Sequence, residues 1–404
     1  MIDHDDFGTG RHYRLGADHP EREFGKPQTV APAAATRPTF GERMAEQKGK
    51  ATGFDHLKIG MAFTVIGFHS IVTCYGVQVE HQMASGFVRP FILAILPMFF
   101  AMSGFLVTAS LLRAKTMAEY VVLRMLRIVP ALCVAVCVAA LVLGPLLTLL
   151  PLRHYFADVS FYSYFLNVIG KIQFQLPGMF IDNPDPGMVN RQLWTIPGEL
   201  KCYIILCVFA LAGITRRPIL MLAVVVAAAL IFPIIDVAIR KERLDGLNSV
   251  TAHSLILAFC CGVTAYLYRD RLRLGASFLA LAAVLSYALL FFPYTQYIAV
   301  MPLTYVTVSI GLAGLPRSVL SSAGNYSYGL YLYGYPIQQT YSLLFPEHRI
   351  WWLNILFTLT IGLALAMVSW RFVEQPMLRQ RPRAVALVNR LLAAAVPQKW
   401  AGLR

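Results

Sequence analysis

Residues 57–77 read LKIGMAFTVIGFHSIVTCYGV, 21 residues in which Lys58 is the only formal charge and His69 the only imidazole. A helix rises about 1.5 Å per residue, so about 20 mainly apolar residues cross the hydrocarbon core of a bilayer. This run has that length. Nine more apolar runs follow, over residues 88–111, 128–150, 193–213, 218–237, 251–268, 274–292, 296–314, 326–345 and 351–372. Ten such segments in one chain predict an all-α, polytopic membrane protein with about ten transmembrane helices.

Composition agrees. Of 404 residues, 57% are apolar and 14% charged, against about 45–50% and about 25% in soluble domains. That balance excludes a soluble globular enzyme, a disordered chain, a collagen and a disulfide-stapled secreted module. The seven cysteines, Cys74, Cys133, Cys137, Cys202, Cys207, Cys260 and Cys261, lie mostly inside apolar runs without CxxC or Cys/His zinc spacing. They read as small buried hydrophobes, and no metal site is expected.

The net charge of +14 reads as a topology signal rather than as a nucleic-acid footprint. Basic residues concentrate at 113–127, at Arg216 and Arg217, at Arg269, Arg271 and Arg273, at Arg317, and at Arg379, Arg381 and Arg383. With ten spans these fall on one side, the cytoplasm by the positive-inside rule, and both termini lie there. Arg240, Lys241 and Arg243 form the one contrary loop. Residues 1–52 mix charge, Gly and Pro without a signal-peptide core and are expected to be a disordered cytoplasmic tail. Residues 53–378 form the membrane domain, and 379–404 a second cytoplasmic tail. The long outer loop, 151–192, carries turn signals at Pro177-Gly178 and at 183–187, and an aromatic stretch, 155–169, that lies at the interface or re-enters.

Ionisable side chains at bilayer depth are costly and mark function or pairing. Lys58 and His69 are eleven positions apart, which is three turns plus roughly 20°, so they share a face about 16 Å apart. A neutral imidazole there can accept a proton; the alternative is a ring hydrogen-bonded to a neighbouring helix. Arg124 and Arg127, at i and i+3, place two guanidinium forks at the start of the third span, suited to phosphate or to simple anchoring. Glu199 follows Pro197-Gly198 and needs a partner among Lys201, Arg191 and His69. Asp236 is expected at the membrane interface. Phe99 to Leu106 reads as close helix packing around Ser103 and Gly104, Asn325 to Tyr333 as a polar cavity wall or an aromatic belt, and Arg371 with Glu374 as an i, i+3 pair.

Taken together these segments resemble the membrane-bound acyltransferase-3 family of bacterial surface-polysaccharide O-acyltransferases. The matching elements are Lys58 with His69; an FFxxSGFL from Phe99 to Leu106; an RxxRIxP at Arg124, Arg127 and Pro130; an LWTxxxE from Leu193 to Glu199; an SYxxYLYxxP from Ser327 to Pro336; and an SxRFxExPxL at Ser369, Arg371, Phe372, Glu374, Pro376 and Leu378. Six elements in order over residues 57–378 are specific where each alone is weak. The sequence departs from the pattern with Lys58 where arginine is commoner and Gly334 where a polar residue is common. No SGNH-type esterase domain is expected after the membrane domain.

The resemblance implies transfer of an acyl group, usually acetyl, from cytoplasmic acyl-CoA to a hydroxyl of a saccharide outside a bacterial inner membrane. The acceptor classes it implies are exopolysaccharide, lipopolysaccharide or a related glycan. The nominated residues are His69 and Glu199 for catalysis, Lys58, Arg124 and Arg127 for the donor, and Trp194, Asn325, Tyr328 and Tyr331 for the acceptor. His69 acts as general base or forms an acyl-histidine. The partners are acyl-CoA, glycan and lipid bilayer, with no nucleic acid and no metal. A proton-coupled transporter with His69 and Glu199 as relay groups is the competing class.

Overall fold

The computed structural model describes residues 37–47, 51–241, 250–292, 294–316 and 326–395. Helices make up nearly all of the regular structure, and among the described residues the single β contact is an isolated bridge between Thr39 and Arg273. The chain runs through α1 (Phe40–Glu46), α2 (Thr52–Tyr75), α3 (Val77–Met83), α4 (Arg89–Arg113), α5 (Met117–Val138), α6 (Ile196–Leu211), α7 (Pro218–Ile234), α8 (Ala252–Leu267), α9 (Ala276–Phe291), α10 (Gln296–Gly311), α11 (Ser327–Leu344), α12 (Trp351–Ser369) and α13 (Arg381–Ala395). Each of the ten apolar runs overlaps one of these helices. Among the described residues six stretches are long and apolar enough to cross a membrane: Thr52–Tyr75, Gly86–Arg113, Met117–Leu147, Arg191–Leu211, Pro218–Ile239 and Trp351–Arg379. Ala252–Leu267 and Ala276–Phe291 are shorter apolar helices. The protein is an all-α, polytopic membrane protein.

Ordered structure begins before the tail boundary expected at residue 52. Thr39 caps α1 in a capping box with Glu42, which satisfies two helix-end donors reciprocally. The Phe40 N–H donates to Leu272 O (2.8 Å), and the Leu274 N–H to Pro38 O (2.8 Å). Phe40 is fully buried, and this anchor ties residues 37–47 to the turn after α8. The expected tail residues 1–36 lie outside the described residues.

The third membrane helix also starts earlier than the sequence suggested. Thr116 caps it and accepts from the Glu119 N–H, so the helix opens at Met117 and not at residue 128. Arg124 and Arg127 therefore sit inside it, seven and ten residues beyond its start, or roughly 10 and 15 Å along the axis. The aromatic stretch after it, expected to lie at the interface or to re-enter, is built from the short helices Leu152–Ala157 and Val159–Tyr164. Tyr155 is buried and donates to Ala140 O (2.7 Å).

Among the described residues there are three π turns: 139–143 and 370–374 interrupt helices, and 235–239 ends α7. Two have a proline as the second residue after them, Pro145 and Pro376, which has no N–H to continue the normal ladder. In the last, the Gln375 N–H donates to Trp370 O. The wider turn separates i and i+3 in angle, so the expected Arg371–Glu374 pair does not form. Glu374 pairs instead with Arg127 (3.4 Å), and Arg371 donates to Gln375 (3.3 Å). The 235–239 turn carries Asp236 inward. Expected at the interface, Asp236 is fully buried, because Thr251 (2.8 Å), His253 (2.5 Å) and the Tyr297 hydroxyl converge on it.

The centre of the molecule is a seam between α4 and α8. A Cβ on Gly104 would overlap Phe259 O, and one on Gly262 would overlap Ala101 O. Only glycine permits that backbone approach. The close-packing reading of Phe99 to Leu106 holds, and the seam forms one wall of the space described next.

Candidate functional site

One cavity of about 900 Å³ joins the residues singled out from sequence. Lys58 and His69 of α2 line it together, as their shared face requires. Arg124 and Arg127 reach it from α5, Glu199 from α6, and Tyr328 and Tyr331 from α11. Trp194, one turn before α6, lines it with about a third of its surface exposed. Asn325 lies outside the described residues.

One half, at the Lys58 end, holds the cations. Lys58 pairs with Asp55 one turn earlier (3.1 Å). Arg124 donates to Ser110 Oγ (3.3 Å) and lies over the Tyr203 ring, while its buried Nε has no hydrogen-bond partner. Arg127 stands between the Tyr328 and Trp370 rings, with its guanidinium carbon 6.0 and 5.8 Å from their centres, and is held by the buried Glu374. The pairing with Glu374 fixes one edge of the fork, so Arg127 is a positioned cation rather than a free anchor.

Glu199 belongs to this half. Its partner is the Tyr203 hydroxyl, which donates to it, and Arg124 and Arg127 are near enough to act on its charge. Lys201, Arg191 and His69, the partners expected from sequence, do not supply the contact. The reason is helical spacing: Glu199 and Tyr203 are i and i+4 on one face of α6, whereas Lys201 points away, exposed.

The other half is built around His69. Its ring meets Tyr335 edge-on at 5.0 Å and 85°. The Tyr335 hydroxyl donates to Asp185, and Arg191 grips the same carboxylate through Nε (3.0 Å) and Nη2 (2.7 Å). Arg191 Nη1 then faces Glu80 at 3.7 Å. His69 is thus seated by aromatic packing, and no side-chain hydrogen bond from a neighbouring helix is formed to its ring among the described residues. Glu80 lies on α3, outside the spans, and burial pushes its carboxyl up to about 7; Arg191 opposes that shift and Asp185 adds to it. Tyr331 spans the two halves: its hydroxyl donates to Gln192 O (2.6 Å) and shares a contact with Thr195 (2.8 Å), and its ring stacks on Tyr328 at 6.2 Å.

Sequence reasoning missed Glu80, Gln192 and Tyr335 as site residues, and it assigned Glu374 to the wrong arginine. Glu80 sits in the short polar connection VEHQM, which reads as a solvated turn. In the folded chain Arg191 faces it and Pro184 packs beside Gly76 at the start of that turn. Tyr335 lies in the tyrosine-rich stretch noted from sequence, but nothing there distinguishes it from Tyr331 or Tyr333.

Comparison with known proteins adds an independent line. A family described as "Acyltransferase domain" matches residues 52–371. A protein named O-acetyl transferase from Shigella phage Sf6 is 25% identical over 344 residues, covering 78% of this chain and 96% of its own. Nodulation protein 10 of Rhizobium leguminosarum bv. viciae is 30% identical over 321 residues, 71% of this chain and 83% of its own. No solved structure matches significantly.

Proposed function

This chain belongs to the acyltransferase-3 family, and from that premise we propose that it transfers an acyl group from cytoplasmic acyl-CoA to a saccharide hydroxyl on the far side of a bacterial inner membrane. Acetyl is the favoured group, because one relative is named an O-acetyl transferase. The observation that carries the reading is the single cavity shared by Lys58, Arg124 and Arg127 at one end and His69 and Arg191 at the other. Cations on the positive, cytoplasmic side suit the phosphates of CoA. The unpartnered Arg124 Nε supplies a donor without an acceptor there.

In the proposed reaction the acceptor hydroxyl gives its proton to neutral His69 as its oxygen bonds to the thioester carbonyl carbon. The C–S bond then breaks, and the proton passes to the leaving thiolate, so the imidazole is regenerated and charge balances. Tyr335 holds the ring, and Asp185 holds Tyr335. Glu199, packed with Arg124 and Arg127, acts on the donor side by setting the local charge there.

The test compares surface glycans, by mass, from cells lacking the gene and from complemented cells. Complementation should add acyl groups, and complementation with His69→Gln should not. Equal acylation in all three would reject the reading, and movement of an unmodified solute without acyl-CoA would favour transport.

A further inference from the structure

Two buried acceptor atoms at the outer end of the cavity have no hydrogen-bond partner: Glu80 Oε2 and Gln192 Oε1. Both residues line the cavity, and each is only 4% exposed. The Gln192 amide cannot be turned to relieve this. Its Nε2 donates to Asn190 Oδ1 (3.0 Å), Tyr331 O (3.1 Å) and Leu332 O (3.2 Å), so Oε1 is left without a donor in the cavity wall. Buried polar atoms are almost always satisfied, and exceptions call for a ligand or a cost. Here the demand is specific: two acceptors, one facing Arg191 at 3.7 Å and the other on the residue next to Arg191 in the chain, both needing O–H or N–H donors.

The charges narrow the class. A cation would meet Arg191, whose Nη1 stands 3.7 Å from Glu80 Oε2. An anion would meet the carboxylates of Glu80 and Asp185. A neutral polyol suits both neighbours, because each hydroxyl donates through hydrogen and accepts through oxygen. Trp194, on the same wall, offers a part-exposed aromatic face, against which the C–H face of a sugar ring can lie.

We propose that Glu80 and Gln192 form a hydroxyl-recognition pair that seats a neutral pyranose ring at the outer end of the cavity. This rests on the reading of that end as the acceptor side. The contacts from His69 through Tyr335, Asp185 and Arg191 to Glu80 tie the seat to the imidazole in one packed cluster. The pair therefore fixes which ring is presented, while His69 acts on one of its hydroxyls.

The test uses the full chain in lipid nanodiscs on an array of neutral hexosides, uronic acids and amino sugars, with acetyl-CoA binding measured on the same wild-type sample. Neutral rings should bind, and Glu80→Met and Gln192→Met should each lose at least about tenfold in affinity while remaining monodisperse. Wild-type affinity in either monodisperse variant overturns the pair. So does a wild-type preference for uronic acids or amino sugars, or a blank array. A blank array with intact acetyl-CoA binding rejects the hydroxyl seat alone; loss of acetyl-CoA binding rejects the donor half of the proposed function. If Glu80→Met aggregates, Gln192→Met decides.

Discussion

Glu374 holds Arg127 across 247 positions of chain, Oε2 to Nη1 at 3.4 Å, with the carboxylate almost wholly buried and the guanidinium about a third exposed. Arg127→Ala should therefore do two things at once. It removes a donor-site cation, and it strands a buried carboxylate. Stranding costs about 3–5 kcal/mol for a fully buried pair, and the exposure of Arg127 reduces that to roughly 1–2 kcal/mol by solvent screening. The double variant Arg127→Ala/Glu374→Gln should recover most of the stability and none of the acetyl-CoA affinity. Thermal unfolding in detergent and isothermal titration with acetyl-CoA separate the two effects; recovered affinity in the double variant would remove Arg127 from the donor site.

His69→Gln keeps the size of the side chain and loses its basicity. Turnover should fall by about 10²–10⁴-fold, the range of general-base catalysis, with acetyl-CoA affinity close to wild type. Retention of more than about a tenth of wild-type turnover would place the base elsewhere.

The buried Glu80 carboxyl, pushed up to about 7, makes glycan affinity depend on pH if its ionised form accepts the hydroxyls. The sign follows from the raised value: protonated below 7, ionised above it. Affinity should rise up to about tenfold from pH 6 to pH 8 and become flat in Glu80→Gln. The neighbouring Arg191, Asp185, His69, His81 and Arg240 also face this space, so the measurement is repeated in His81→Asn. An unchanged pH profile in Glu80→Gln would assign the titration to another group.

The α4–α8 seam predicts opposite outcomes for two glycines. Gly104→Ala drives a Cβ into Phe259 O and should cost about 1–3 kcal/mol, as overpacking does. Gly60 has open space where a Cβ would stand, so Gly60→Ala should be neutral or stabilise by up to about 1 kcal/mol through helix propensity. Midpoints of thermal unfolding in one detergent rank the pair; equal shifts would mean the seam relaxes.

Reporter fusions after residues 50, 170 and 390 should read inside, outside and inside, following the loop charges. An outside signal at 390 would break the ten-span order.

The apolar runs were legible because bilayer crossing demands a length and a composition, and both survive in one sequence. Helix starts were less so. Arg124 and Arg127 look like loop residues under a charge rule, yet the Thr116 cap starts α5 before them, and Glu374, Trp370 and Tyr328 arrive from distant segments to receive Arg127. Lys58 and His69 could be paired on one face from their spacing alone. Glu80 could not be found that way, since Arg191, which faces it, comes from a distant segment of the chain. Glu199 shows the intermediate case: its need for a partner was readable, and the answer, Tyr203, lay four residues away.

The glycine seam also sets how this fold can change its appetite. Gly104 and Gly262 fix the separation of two backbones, so the helices themselves cannot be moved closer. The large side chains beside them, Phe100 and Leu106 on α4 and Phe259 on α8, line the cavity. A descendant that admits a bulkier acyl group can gain room by shortening such side chains while the two helices stay where the glycines put them.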